Sequence, residues 1–79
     1  MKVKVRYFAA LREKVGASEE LVETHAQNAI ELFHQLNKKH NFPLDPGHLK
    51  VSINRHYQDW NCQIKADDEI VFLPPVAGG

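Results

Sequence analysis

The sequence predicts an α+β domain in which one main helix packs on one sheet. Three observations predict it. Residues 2–8 alternate charged and apolar side chains, the signature of a half-buried strand. Residues 29–40 carry apolar side chains at helical spacing. From residue 49 onward short apolar runs return, separated by turn residues.

In the first strand, Lys2 to Phe8, the side chains of Val3, Val5 and Tyr7 face one way. Lys2, Lys4, Arg6 and Phe8 face the other. Ala9 to Val15 fits a short helical turn that Gly16 can end. Glu20 to Thr24 reads as a second strand, returning along the first as a hairpin. The main helix spans Ala29 to His40, with Asn28 as N-cap and Glu31 placed as in a capping box. Ala29, Leu32, Phe33, Leu36 and His40 share one arc of the helical wheel, with Ile30 at its edge. Glu31, His34, Gln35 and Lys38 share the opposite arc. Lys38, Lys39 and His40 suit the negative end of the helix dipole. Asn41 can take the left-handed cap, and Pro43 prevents continuation.

Asp45-Pro46-Gly47 has the residues of a type II turn, which requires positive φ at its third position. Leu49, Val51 and Ile53 alternate as a third strand, and residues 54–58 read as a turn and a short strand. Ala66-Asp67-Asp68 turns the chain into a last strand, Glu69 to Leu73. A single helix covers one face of a sheet. Ile70 and Phe72 point one way and Val71 and Leu73 the other, so one apolar pair, with Phe8, falls on the uncovered face. Apolar surface of that kind reads as a docking patch; loops lying over these residues are the ordinary alternative.

At 79 residues the chain makes one small domain, close to the size at which a core suffices without staples. A single cysteine excludes an internal disulfide framework. The ten basic and ten acidic residues balance, which gives no reason to expect nucleic-acid or anionic-membrane partners. No apolar stretch is long enough to span a bilayer and no leader pattern opens the chain, so a cytoplasmic location is expected.

The sequence finishes PPVAGG. Pro74 and Pro75 fix φ and favour an extended course. Gly78 and Gly79 leave a carboxylate at the end of a flexible arm with no side chain beside it. The arm from Pro74 to Gly79 reaches roughly 20 Å from a domain of residues 1–73, at about 3.3 Å per residue. Such an arm can deliver a carboxyl terminus into a narrow tunnel in another protein. Val76 between the prolines and the glycines has no use in a solvated tail and a clear use in a docked one. Fraying is the ordinary reading of a chain end, but this one follows an apolar strand without a polar spacer.

VKVRYFAALREKVG (residues 3 to 16) and ADDEIVFLPPVAGG (residues 66 to 79) carry a resemblance. The chain resembles the small sulfur-carrier subunits of molybdopterin synthase, which have a β-grasp (ubiquitin-like) fold. The ending is the specific part, because the Pro-Pro-Val step is not shared by all Gly-Gly carriers. Family members often have a glycine where Asp67 or Asp68 stands. The resemblance implies a mixed sheet on one main helix and a two-stage chemistry. A ubiquitin-activating-type adenylyltransferase joins the Gly79 carboxylate to AMP, spending ATP, and a sulfur donor protein converts it to a thiocarboxylate. The tail, with Pro74, Pro75, Val76, Ala77 and Gly78 as its docked stem, then enters the large synthase subunit. There the sulfur passes to cyclic pyranopterin monophosphate and builds the dithiolene of molybdopterin. Active-site residues are expected on that subunit, in a two-plus-two heterotetramer. No cofactor is expected to be bound to this chain. Phe8, Arg12, Phe72 and Leu73 are the expected partner interface, and Val76 the tail anchor.

Other residues weigh less. Cys62 could relay sulfur, but a lone cysteine is more often a small buried hydrophobe. The histidines at 25, 34, 40, 48 and 56 lack a metal-ligand spacing. Asp67, Asp68 and Glu69 lack that of a calcium loop. Tyr57 and Trp60 have no basic patch to support base stacking. Three competing functions stand beside the carrier reading: a ubiquitin-like protein modifier, a sulfur carrier for another pathway such as thiamine thiazole synthesis, and an interaction module with an unused tail.

Overall fold

The computed structural model describes residues 1–74. Five strands form one mixed sheet: β1 (Lys2–Tyr7), β2 (Glu19–Glu23), β3 (Lys50–Ile53), β4 (His56–Gln58) and β5 (Glu69–Leu73). Their order across the sheet is β2-β1-β5-β3-β4. β1 and β5 run parallel, with Tyr7 beside Phe72. The other neighbours are antiparallel. Two helices, α1 (Ala9–Val15) and α2 (Ala29–His40), complete the β-grasp architecture.

The β1 alternation is realised as read: Val3, Val5 and Tyr7 are fully buried under α2, while Lys2 and Phe8 are exposed. β1 then turns into α1 within one residue. Ala9 takes φ 51, a left-handed conformation that costs an L-residue about 1–2 kcal/mol. α1 ends at Gly16, φ 85, whose N–H bonds the Arg12 carbonyl at 2.8 Å. The second strand lies one residue earlier than the sequence predicts, at Glu19–Glu23.

The first turn of α2 shows how its orphan donors are satisfied. The Ala29 and Ile30 N–H groups reach the Cys62 and Trp60 carbonyls at 3.2 and 2.8 Å. The Glu31 N–H reaches the Asn28 side-chain oxygen at 3.0 Å. The Glu31 carboxylate returns to the Gln27 N–H, also at 3.0 Å, so the reciprocal half of the box falls one residue before the cap. At the other end Asn41 takes φ 54, and Asn37 accepts from the N–H groups of Asn41 and Phe42, both at 2.8 Å.

The helix buries Ala29, Leu32, Phe33 and Leu36 against the sheet. Phe33 meets Phe72 edge-on at 5.4 Å, and Trp60 stacks on Phe72 at 5.6 Å. Trp60 and Cys62 therefore join the core from a loop, and the carbonyls of that loop hold the helix start.

The type II turn at Asp45-Pro46-Gly47 is not formed. Gly47 does not take a positive φ, and residues 46–48 form one turn of 3-10 helix. Consecutive bonds from His48 N–H to Asp45 O (3.0 Å) and from Leu49 N–H to Pro46 O (3.2 Å) favour that geometry. The Asp45 carboxylate adds a 2.7 Å contact to the His48 ring, and that hydrogen bond lowers the Asp45 pKa. Two residues of positive φ, Asn54 and Arg55, make the two-residue β3–β4 hairpin. The Asn54 side chain fastens that hairpin to β5, donating to Asp68 at 2.8 Å and accepting from the Glu69 N–H at 2.9 Å. Asp67 takes φ 70, the conformation for which a glycine is the ordinary choice.

One polar cluster ties β2 to α2. Glu20 accepts from the Tyr7 hydroxyl and the Lys39 ammonium, each at 2.7 Å, and lies 3.1 Å from His40 Nε2. Burial, and then the hydrogen bond to Glu20, raises the Tyr7 pKa. Burial alone would raise the Glu20 pKa as well, but the hydrogen bonds from Lys39, Tyr7 and His40 bring it below its ordinary 4.5. Stability from a depressed carboxylate is complete above its unfolded pKa and is lost as pH falls through the folded one. Urea midpoints should therefore decline below about pH 4.5, and Glu20→Gln should shrink the difference between neutral and acid midpoints. An unchanged difference would remove Glu20 from that account.

Candidate functional site

The site is built where β1 and β5 end side by side. Because they are parallel, Leu73 emerges next to Phe8. Lys50 at the start of β3 pairs with Leu73 from the other side. The chain thus leaves the middle of the sheet, flanked by α1 on one side and β3 on the other.

The sheet face opposite α2 is set by register. Val71 lies between Arg6 and Ser52, and Ser52 pairs with Tyr57. Arg6, Val71, Ser52 and Tyr57 therefore form one row across the open face, with Phe8, Leu73 and Lys50 next to it toward the chain exit. Phe8 is 37% and Tyr57 70% exposed. Leu73 and Pro74 are half-buried, and the Arg6 guanidinium carbon sits 5.5 Å over the Phe8 ring. Such a cation–π contact is worth about 0.5–1 kcal/mol at an exposed site. Arg12 is exposed one helical turn after Phe8, whose carbonyl its N–H reaches at 3.3 Å. Apolar surface bordered by Arg6, Arg12 and Lys50 can hold an apolar partner surface with an acidic rim.

The sequence-predicted residues divide. Phe8 and Leu73 share the open face, with Arg12 close in sequence to Phe8. Phe72 does not belong with them: it is 0% exposed and packs against Phe33 and Trp60. The period of two that turns Leu73 outward turns Phe72 under the helix, so Phe72 positions the strand and cannot touch a partner. Of the two apolar pairs, Val71 and Leu73 lie on the face opposite α2, where Val71 is buried and Leu73 half-buried. Pro75, Val76, Ala77, Gly78 and Gly79 lie outside the described residues. In the sequence Tyr57 is a candidate for base stacking alone. The signal that places it is the two-residue turn at Asn54-Arg55, which fixes the β3–β4 register and brings Tyr57 beside Ser52.

Cys62 is half-buried against the core, and its thiol lies 3.7 Å from the Gln63 carbonyl. His40 bonds Glu20, His48 bonds Asp45, and His34 is exposed. No helix among the described residues is long and apolar enough to cross a membrane.

Comparison with known proteins supplies a frame for this geometry. Residues 5–79 match the family model described as the ThiS family. A Haemophilus influenzae protein named molybdopterin synthase sulfur carrier subunit is 35% identical over 78 residues, covering 95% of this chain and 96% of that one. A structure of the complex of subunits 1 and 2 of the molybdopterin-converting factor from Helicobacter pylori contains a chain 30% identical to this one. The TM-score is 0.70 and both chains are covered in full, at 100%. The solution structure of small archaeal modifier protein 1 from Methanosarcina acetivorans superposes with a TM-score of 0.79 at 28% identity, over 99% of this chain and 96% of that one.

The division between Phe72 and Phe8 is measurable in chemical denaturation. Phe72→Ala should cost about 3–5 kcal/mol as a core truncation. Phe8→Ala should stay within about 1 kcal/mol, since it loses only partly exposed surface and one cation–π contact. Equal losses would contradict the assignment of the two faces.

Proposed function

The chain belongs to the ThiS family, and on that premise we propose that it is the sulfur-carrier subunit of a molybdopterin synthase. One observation carries the reading: the parallel β1–β5 pair ends at the centre of the sheet, beside a face on which Phe8 and Tyr57 are exposed and Leu73 is half-buried, so that a partner can cover them. The relative named as a sulfur carrier subunit and the two-subunit complex support it.

In the proposed reaction this chain is a co-substrate. A carboxylate is a poor electrophile, so an adenylating enzyme first converts the Gly79 carboxylate to an acyl adenylate, releasing pyrophosphate from ATP. A persulfide sulfur donor attacks the acyl carbon and expels AMP; a thiol then attacks the donor-side sulfur of the resulting acyl disulfide, forming a disulfide with the donor and releasing the thiocarboxylate. Inside the large subunit the thiocarboxylate sulfur bonds a carbon of cyclic pyranopterin monophosphate in place of an oxygen substituent, and water then hydrolyses the resulting thioester, leaving the sulfur on the pterin and a carboxylate at Gly79. The domain's contribution is proximity: docking through Phe8, Tyr57 and Leu73 converts a bimolecular encounter into delivery along a tether. The tail residues Pro74, Pro75, Val76, Ala77 and Gly78 would thread the partner's tunnel, where exclusion of water protects the activated species. Arg12 would pair with a partner carboxylate. The proposed chain holds no cofactor of its own, and ATP is spent by the activating enzyme.

Reconstitution with a large subunit and activating system tests the reading. Deleting Gly79 should abolish sulfur transfer without changing the thermal midpoint. Leu73→Asp and Tyr57→Asp should weaken large-subunit binding by about tenfold or more, an effect of at least 1.4 kcal/mol. Sulfur transfer by the Gly79-deleted chain would overturn the proposal. Accumulation of lysine conjugates in its place would favour the protein-modifier reading.

A further inference from the structure

β2 is an edge strand, and its outer side is open to pairing. Tyr7 N–H bonds Ser18 O and Thr24 N–H bonds Met1 O, both at 2.9 Å, which fixes the alternation along the β1–β2 ladder. Residues 18, 20, 22 and 24 turn their backbone groups toward β1, so Glu19, Leu21 and Glu23 turn theirs outward. The Glu23 carbonyl is taken by the Gln35 side chain at 3.0 Å. Among the described residues no partner meets the N–H and C=O of Leu21 or Glu19, or the Glu23 N–H. On the helix side, the edge borders a cleft of about 310 Å³ lined by Val22, Leu36, Gln35 and Lys39. A second cleft, about 330 Å³, continues it along Thr24 and Glu31. The result is a groove between an edge strand and a helix, the geometry in which an extended peptide adds to a sheet.

The side chains state what that peptide must carry. Leu21 is 72% exposed and stands between Glu19 and Glu23 on the face away from α2. The inner side of β2 already shows the complement: Lys2 opposes Glu23, Lys4 opposes Leu21 and Arg6 opposes Glu19. The Met1 ammonium meets one Glu23 oxygen at 3.2 Å, and the other has no partner among the described residues. A second copy of this chain is a poor occupant. Antiparallel pairing centred on Leu21 would set Glu19 of each copy against Glu23 of the other, and like charges directly opposite destabilise a sheet.

We propose that the β2 edge is a docking site for an extended cationic segment of a partner protein, patterned basic–x–apolar–x–basic. The apolar residue sits opposite Leu21 and the basic residues opposite Glu19 and Glu23. The intervening positions are apolar and face the cleft floor at Val22 and Leu36. The site lies two strands from the end of β5, so its occupation leaves the proposed carrier chemistry untouched, and it does not rest on that reading.

The probe is the peptide acetyl-Thr-Lys-Val-Leu-Val-Lys-Thr-amide, titrated into the full chain by NMR. Binding should shift the Leu21 and Glu19 amide protons downfield and slow their exchange. Three changes should each weaken binding by about tenfold, the loss of one to two net hydrogen bonds or charge contacts. These are N-methylation of the peptide leucine, glutamate in place of both peptide lysines, and the double variant Glu19→Gln, Glu23→Gln. Added salt should weaken the unmodified peptide. Undisturbed Leu21 and Glu19 amides at millimolar peptide, or equal binding by the N-methylated peptide, would overturn the proposal.

Discussion

Everything at the functional end depends on the parallel pairing of β1 with β5. It joins the first strand of the chain to the last described one and puts Tyr7 beside Phe72. A parallel pair aligns chain ends of the same polarity, so the point where the chain leaves the sheet is also where β1 gives way to α1. Phe8 and Leu73 gather at the exit for that reason, and the antiparallel pairing of β3 with β5 adds Lys50. Were the two strands antiparallel, the last segment would leave at the opposite end, beside Lys2, far from Phe8.

The core secures that pairing from below. Phe72, Phe33 and Trp60 pack face and edge under the sheet. The loop that carries Trp60 and Cys62 also supplies the carbonyls that satisfy the first N–H groups of α2. Helix start, loop and last strand are thus one packed unit. The Glu20 cluster fastens the other side, where Tyr7 on β1 and Lys39 and His40 on α2 converge on one carboxylate. A sheet held so firmly on one face can leave the other face to partners.

Local rules made much of this legible in the sequence. The bounds of α2 follow from Asn28, Asn41 and Pro43, and those of β5 from Asp67-Asp68 and the apolar run, because caps and turns are short-range chemistry. What escaped depended on pairing partners. Phe72 and Leu73 look alike as apolar neighbours, and only the position of α2 decides which is buried. Tyr57 gains its place on the open face from the register that the Asn54-Arg55 turn imposes. Gly47 carries a type II signature, yet the neighbouring Asp45–His48 hydrogen bonds select a 3-10 turn. The resemblance of the last residues named the family, and the family match over residues 5–79 bears it out; the chemistry at Gly79 is the step that awaits measurement.

That chemistry is read most directly by intact mass spectrometry after incubation with an adenylating enzyme of the ubiquitin-activating type, ATP and a sulfur source. The account predicts a gain equal to exchanging one oxygen for sulfur, located at Gly79 by fragmentation. An unchanged mass, with the same enzyme active on another carrier, would contradict it.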